Sequence, residues 1–277
     1  MTLHRTAIRA YAGWSLALGF VLFAAPAQAQ FRPRPISEPP TGEKYHIEAA
    51  AGLWFPTATM IVSSESLGIV GTTIDFKTDL GLQDEKLPDL RLVLAPSRRK
   101  KFRFEFIPIK YEQSATVRRK IIFNGIAYNI GLPVTSILDW KAYRIAYEFD
   151  FISNDRGFAG SVVEAKYTDV QVNLASSVAT EFAHAQAPIP AIGGIGRVYV
   201  VPYMSITGEV TGFKLPENLV PDTSAHYVDF DLYGTVNFTN NIGAQIGYRS
   251  LDVGYIVDTD TGTFKLNGIY VGVVARY

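Results

Sequence analysis

Residues 269–277 alternate strictly between two faces if they form a β-strand, because successive side chains of a strand point to opposite sides. One face is wholly apolar, whereas the other includes Gly272 and Arg276. Several earlier segments repeat this alternation, so the chain must place one face of many strands in an apolar environment. In the last segment the apolar face consists of Ile269, Val271, Val273, Ala275 and Tyr277.

Composition excludes several classes of protein. The chain has 26 basic and 26 acidic residues, so no strongly basic surface indicates nucleic acid as a partner. Cysteine is absent, which rules out disulfides, thiolate metal sites and a cysteine nucleophile. Beyond residue 30 no apolar run approaches the roughly 20 residues of a membrane-spanning helix. A membrane protein of this sequence must therefore be built from strands.

The first 29 residues are predicted to be a signal peptide. A basic start at Arg5 and Arg9 precedes an apolar run over residues 14–25, and residues 27–29 have the small-x-small form of a signal-peptidase site. The apolar run is too short for a bilayer span. Residues 30–44 are predicted to be a proline-rich leader to a single domain, residues 45–277. The prolines of the leader are Pro33, Pro35, Pro39 and Pro40.

The last strand resembles the C-terminal assembly signal of bacterial outer-membrane β-barrels, through Val273, Ala275 and the final Tyr277. The resemblance implies an all-β fold, an antiparallel up-and-down transmembrane β-barrel in the bacterial outer membrane, with its leader in the periplasm. It also implies two kinds of partner: outer-membrane lipids including lipopolysaccharide, and the outer-membrane barrel assembly machinery. A soluble β-sandwich is the alternative, because alternation alone does not exclude it.

Alternation and turn residues predict about ten strands, with eight as the alternative count. Asn124-Gly125 predicts the turn of one long hairpin, and Pro108 predicts a β-bulge beyond which the two faces exchange. Residues 181–196, rich in proline and glycine, are predicted to be a loop. The predicted strands are residues 45–55, 87–95, 102–123, 126–152, 157–179, 197–201, 205–213, 227–238, 242–249 and 269–277.

The inward faces of these strands carry a nearly balanced set of acidic and basic side chains. A barrel of eight to ten strands is just wide enough to be filled by side chains, and buried charges must be paired, so we expect a plugged lumen. If residues 239–241 form a tight turn, Asp231 lies opposite Arg249, and we expect an ion pair between them. The predicted structural charge network of the lumen includes Glu48, Arg91, Arg103, Glu105, Arg144, Glu148, Asp231 and Arg249.

Catalytic patterns are weak in this sequence. Ser224, His226 and Asp229 have the residue types of a nucleophile, a base and an orienting acid, but His226 and Asp229 would point to opposite faces of one strand. Outer-membrane enzymes such as lipid A deacylases, palmitoyl transferases, phospholipases and omptin proteases carry local histidine patterns, and none of these maps onto His46, His184 or His226. We therefore expect no enzymatic activity.

Two further features are interpreted as structural. Residues 258–262 contain two aspartates in the spacing of half a calcium loop, but the remaining ligands are missing and a hairpin turn explains them; we expect neither a metal nor a cofactor. Aromatic residues cluster at the proposed periplasmic strand ends, as in an interfacial girdle. They are Tyr45, Phe102, Phe151, Phe158, Phe238 and Tyr277.

Three functions remain open at this point. The first is a structural or surface-interaction role of a closed barrel, through long extracellular loops near Asn124 and over residues 57–86. The second is a narrow channel or carrier for a small apolar solute. The third is an outer-membrane enzyme that hydrolyses lipid or peptide. Mixed lumen charge favours the first function over the second, and the lack of a convergent catalytic set disfavours the third.

Overall fold

The computed structural model describes residues 40–63, 71–123, 126–176, 180–215, 222–257 and 260–277. The predicted signal peptide, the leader up to residue 39 and the predicted turn Asn124-Gly125 lie outside these residues. A helix long and apolar enough to cross a membrane is not found in the described part. The strands are β1 (Ile47–Ser63), β2 (Ile74–Asp75), β3 (Leu87–Ser97), β4 (Lys100–Thr116), β5 (Ile121–Phe123), β6 (Ile126–Tyr128), β7 (Pro133–Asn154), β8 (Gly157–Ser176), β9 (Thr180–Val201), β10 (Met204–Leu215), β11 (Thr223–Asn237), β12 (Ile242–Val257) and β13 (Asp260–Arg276).

Ten of these strands form one closed antiparallel barrel, which confirms the predicted fold class and the preferred strand count. Each barrel strand pairs with the next one along the chain, and β13 pairs with β1 to close the ring. Closure removes open sheet edges, which is what strands in lipid require. The short β2 pairs with β1, and β5 pairs with β6 in a separate hairpin. The barrel strands are β1, β3, β4 and β7 to β13.

The two ends of the barrel differ in their connections. At one end, called the lower end here, tight turns follow β3, β7, β9 and β11, and the start of β1 meets the end of β13. At the other end, the upper end, the β1–β3 and β4–β7 connections are long and carry β2, β5 and β6. Short turns at one end and longer loops at the other are typical of outer-membrane barrels.

The barrel has two halves of opposite polarity, and β4 shows this most clearly. Its inward side chains are charged in the lower half and apolar in the upper half, while its outward side chains change from aromatic to polar. From the lower end upward, the inward side chains are Lys101, Arg103, Glu105, Ile107, Ile109 and Tyr111. The outward side chains over the same stretch are Phe102, Phe104, Phe106, Pro108, Lys110 and Glu112.

The same inversion in β7 locates the upper edge of the apolar outer band. Outward side chains are aromatic or aliphatic from Tyr143 to Phe151, and the next outward residue above is Lys141. Nine residues match the 9 to 11 of a tilted strand that crosses a bilayer. The ten residues of β7 above this level extend on the order of 25 Å further, at about 3.3 Å per residue and a tilt of about 40°.

Aromatic rings mark the upper edge of this band. Phe106 stacks on Tyr143 with ring centroids 4.9 Å apart, and Tyr143 lies 6.5 Å from Tyr167 on the next strand. Rings with an apolar body and a polar tip are favoured at the membrane–water interface. The girdle predicted at the lower end is wrong at Phe158, which points into the lumen and is 5% exposed, and at Tyr45, whose ring lies 5.7 Å from the guanidinium of the buried, inward-facing Arg276.

The predicted bulge at Pro108 is wrong. The β4–β7 register runs without interruption from Lys100 to Thr116, and inward and outward positions keep their parity through Pro108. The β3–β4 ladder ends at Leu90–Phe106, so Pro108 is paired on one side only, which is where a strand tolerates the missing N–H. Apolar residues change face here because the strand leaves the apolar band, and no exchange of faces is needed.

Two predicted segment boundaries are also wrong. Residues 181–196 belong to β9 and do not form a loop; Pro188 and Pro190 pair with β8 alone, because the β9–β10 ladder stops at Ile192. The predicted long hairpin over residues 102–152 is interrupted above Thr116, where β5 and β6 form their own two-stranded sheet. The described upper part is therefore more compact than a freely projecting hairpin.

The same substitution at two outward positions of β4 tests whether the outer surface changes from apolar to polar along the strand. We expect Phe104→Arg, in the middle of the outward apolar band, to lower the free energy of unfolding in lipid vesicles by about 2 to 4 kcal/mol. Its control, Glu112→Arg on the same face above the band, is expected to change that free energy by no more than about 0.5 kcal/mol. Denaturant titration of both variants measures the free energy of unfolding. Equal losses in the two variants would contradict an upper edge of the apolar band between these two positions.

Candidate functional site

Charged side chains that pair across the barrel fill the lower lumen. The structure places all eight of the side chains singled out from the sequence on the inward face. All except Glu48 are linked through salt bridges into one network, with Glu209 as a further member. The seven linked side chains are Arg91, Arg103, Glu105, Arg144, Glu148, Asp231 and Arg249.

Glu105 lies at the centre of this network and faces guanidinium groups from three other strands. Arg249 donates to both of its carboxylate oxygens, the Nε of Arg91 lies 3.4 Å from Oε1, and Nη1 of Arg144 lies 3.5 Å from Oε2. Each of these arginines has a further acidic partner, such as Asp229 at 2.7 Å from Arg249. Pairing of this kind is what makes buried charges tolerable.

The register that the turn at residues 239–241 predicted is present, but the ion pair inferred from it is wrong. Asp231 lies directly opposite Arg249 in the β11–β12 ladder. Asp231 instead accepts hydrogen bonds from Arg91 at 2.7 Å and from the Tyr270 hydroxyl at 3.0 Å, while Arg249 turns to Glu105 and Asp229. The narrow lumen lets long side chains reach across it, so partners on distant strands compete with the directly opposed residue.

Lys101 belongs to this network but escaped the sequence analysis. Its Nζ lies 2.6 Å from Glu148 and 2.8 Å from Asp150, and 3.5 Å from the centroid of the Phe158 ring, as in a cation–π contact. The predicted strand began at residue 102 and so left Lys101 out, whereas β4 begins at Lys100. The alternation from Arg103 backward would have placed it on the inward face.

The end of the predicted leader packs against the lower end of the barrel. The amide of Thr41 donates to Pro202, and its carbonyl accepts from the Asn237 side chain at 2.7 Å. Glu43 accepts a hydrogen bond from the Tyr199 hydroxyl at 2.8 Å. Beside this segment, Glu48 accepts from Arg276 at 2.5 Å. The leader therefore ends as part of the barrel rather than as a free extension.

An apolar cluster fills the upper lumen above the charges. Trp140 and Phe264 meet there across the barrel with ring centroids 6.0 Å apart. Between the two halves lies a cavity of about 20 Å³, lined in part by Trp140, Lys166 and Arg249, which is about the size of one water molecule. The buried members include Met60, Ile74, Phe76, Leu80, Leu82, Ile109, Tyr111, Leu138, Trp140, Leu174, Phe264 and Leu266.

The suspected triad does not converge. Asp229 is buried in the lumen on Arg249 and Lys166, whereas His226 lies outside the barrel, with Nε2 3.4 Å from Asp252. Asp252 also binds Lys265 at 2.8 Å. The described residues contain no group of three histidine or carboxylate side chains placed to hold a metal ion.

No protein-family model matches the sequence, nor does any curated protein. Among solved structures, outer membrane protease OmpT from Escherichia coli aligns with a TM-score of 0.56 and 6% identity over 88% of this chain and 100% of that chain. A FadL homologue from Pseudomonas aeruginosa aligns at 0.38 with 9% identity over 84% and 90%. Ail of Yersinia pestis aligns at 0.35 with 7% identity over 82% and 99%. The OmpT match shows the fold alone, that of a bacterial outer-membrane β-barrel.

A double-mutant cycle distinguishes the observed pairing from the one inferred from register. For Arg91→Met with Asp231→Asn we expect a coupling energy of about 1 to 3 kcal/mol, because the two groups touch. For Arg249→Met with Asp231→Asn we expect a smaller coupling, because each side chain keeps its other partners. The measurement is the free energy of unfolding of each single and double variant in detergent. Stronger coupling in the second cycle would overturn the observed pairing.

Proposed function

We propose that this chain is an integral, non-conducting barrel of the bacterial outer membrane, without enzymatic activity, that holds a surface-interaction platform above the membrane. The lower half crosses the bilayer, and the upper half presents its polar outer surface and its loops to the outside. The observation on which this proposal rests is the reversal of polarity along β4 and β7, whose outward side chains are apolar in the lower half and polar above it. An outer surface that is apolar in only one half suits a protein that stands partly in lipid and partly in water.

A closed lumen supports the non-conducting part of this proposal. The charge network occupies the lower half, residues 41–43 form hydrogen bonds with side chains at the lower end, and the apolar cluster fills the upper half. The cavity between the halves is far too small for a solute path. A channel or carrier would require the paired charges around Glu105 to separate.

The proposal also includes the two partners that the resemblance implied. Lys214, His226 and Lys265 lie outward on adjacent strands with Asp252 among them, just above the apolar band. Cations at this level suit the anionic headgroups of the outer leaflet, including those of lipopolysaccharide. For the assembly machinery, the proposed signal is the outward face of β13, which ends with Val273 and Ala275 beside the 84% exposed Tyr277.

Planar-bilayer recording with membrane fractionation tests the proposal. The protein should be recovered from outer membranes only with detergent, and it should give no conductance steps above those of a protein-free bilayer. Arg103→Ala with Arg144→Ala, which removes two cross-lumen bridges, is the positive control and should produce conductance or leak. Steady single-channel steps from the unaltered protein, or its recovery as a soluble monomer, would refute the proposal.

Lipid binding is tested at the cationic patch above the apolar band. Lys214→Gln with Lys265→Gln should weaken binding to vesicles that contain lipopolysaccharide by about thirtyfold, at about 1 kcal/mol per lysine. Lys100→Gln, an exposed lysine at the lower turn, is the matched control and should leave binding unchanged. Flotation of the folded variants with labelled vesicles measures this, and equal binding by all variants would exclude the patch.

A further inference from the structure

The upper barrel wall has a gap between β1 and β4. The strand between them, β3, pairs with β1 only as far as Trp54 and with β4 only as far as Phe106. Both neighbours continue upward, β1 to Ser63 and β4 to Thr116. The wall therefore lacks a full strand at this position, above the outward apolar band.

Residues 71–86, which we call the shutter, fill this gap. Only Ile74 and Asp75 pair with β1 as a strand; beyond them, the amide of Phe76 donates to the Met60 carbonyl at 3.0 Å and Asp84 accepts from the Ala58 amide at 2.8 Å. A few bonds of this kind hold a segment less firmly than the ladders of the barrel strands. The shutter side chains that fill the upper lumen are Ile74, Phe76, Leu80 and Leu82.

A polar clasp fastens the shutter to the β4–β7 connection. Arg119 donates to both carboxylate oxygens of Asp79, at 2.8 and 2.6 Å, and to the Thr73 carbonyl at 2.5 Å. Hydrogen bonding from Arg119 lowers the pKa of Asp79 below its ordinary value, so the clasp is intact at neutral pH and is lost only as acid protonates the carboxylate. The amide of Thr72 also donates to the Ile122 carbonyl at 2.9 Å.

Behind the shutter, two buried hydrogen-bond donors have no partner among the described residues. They are the hydroxyl of Tyr111 and the indole N–H of Trp140, on side chains 0% and 2% exposed. Trp140 pairs with Ile109 in the β4–β7 register and Tyr111 pairs with Leu138, so the two donors come from neighbouring inward positions. Buried donors are normally satisfied, and an unsatisfied one calls for an explanation.

We propose that the upper lumen is a binding site for a small apolar molecule with one hydrogen-bond acceptor, such as a short-chain acyl ester, and that the shutter closes it. When the shutter moves out, the ligand takes the place of its apolar side chains and accepts a hydrogen bond from Tyr111. The paired charges below form a floor, so the site binds its ligand without passing it through the membrane. This inference goes beyond the surface role proposed above.

Fluorescence of Trp140 in the full-length protein reports on this site. The chain has three tryptophans, so Trp14→Phe with Trp54→Phe leaves Trp140 alone. In detergent, the methyl ester of a bromo-octanoic acid should quench its emission saturably, because bromine quenches on contact. A brominated detergent too large for the site controls for contact through the micelle. No quenching by the ester, or equal quenching by the brominated detergent, would overturn the proposal.

A disulfide lock tests whether the shutter controls entry. A Cβ built at Gly81 lies 3.3 Å from the Cβ of Ala115 on β4, close to the spacing of about 3.8 Å in disulfides, and the chain has no other cysteine. Gly81→Cys with Ala115→Cys should lose quenching when oxidised and regain it when reduced. Ala115→Cys alone should not respond to oxidation. Because Gly81 has a φ of +69°, Arg119→Gln is a second variant with an intact backbone, and opening the clasp should increase quenching.

The acceptor requirement is tested separately at Tyr111. Tyr111→Phe should weaken binding of the bromo-ester by about five- to tenfold, the effect of one hydrogen bond, and leave binding of 1-bromooctane, which lacks an acceptor, unchanged. Equal quenching by oxidised and reduced forms of the lock, or an unchanged preference for the ester in Tyr111→Phe, would reject the site. A conducting lumen would remove the floor of the site as well as refute the closed barrel, whereas ligand binding behind the shutter is decided by quenching alone, so the two failures are distinguishable.

Discussion

Charge compensation inside a narrow barrel is the constraint on which the rest of this structure depends. Lipid outside the lower half requires apolar outward faces, and strand alternation then sends the remaining side chains inward. Those side chains are charged, and the lumen is too narrow to hydrate them freely. They are tolerated because they are paired: Glu105 meets Arg249 across the lumen and meets Arg91 and Arg144 directly opposite it on the two neighbouring strands.

The upper half has the opposite polarity, because its outward side chains are polar, as suits water rather than lipid. Its strands keep the same parity, so the inward positions that hold charges below hold Ile107, Ile109 and Tyr111 above. The lumen therefore contains an apolar core in its upper half, of the kind found in water-soluble proteins, and a network of paired charges in its lower half. Residues 71–86 complete the wall around this apolar core at the place where β3 is too short to do so.

The contacts of Asp231 show which features of the lumen can be predicted from local sequence and which cannot. Its register against Arg249 follows from one tight turn and simple counting, and the structure has that register. Its choice of Arg91 and Tyr270 as partners depends on which side chains arrive from β3 and β13. Arg91 is 140 residues away from Asp231 in sequence, and the relative height of β3 and β11 follows from the whole set of ladders, so no local pattern contains this information.

By itself, the sequence determined the all-β class, the lower turns and the faces of the charged residues singled out, and it favoured a barrel of about ten strands, because these follow from alternation with a period of two and from turn chemistry. The predicted bulge at Pro108 was wrong because the prediction assumed that each strand keeps one polarity along its whole length. The predicted loop at residues 181–196 was wrong because the prediction assumed that every strand residue pairs on both sides. Only the tertiary structure decided where the outer surface turns polar, which cross-lumen partners pair, and that residues 71–86 fold back into the wall. These depend on strand stagger and barrel closure, which bring together residues far apart in the chain.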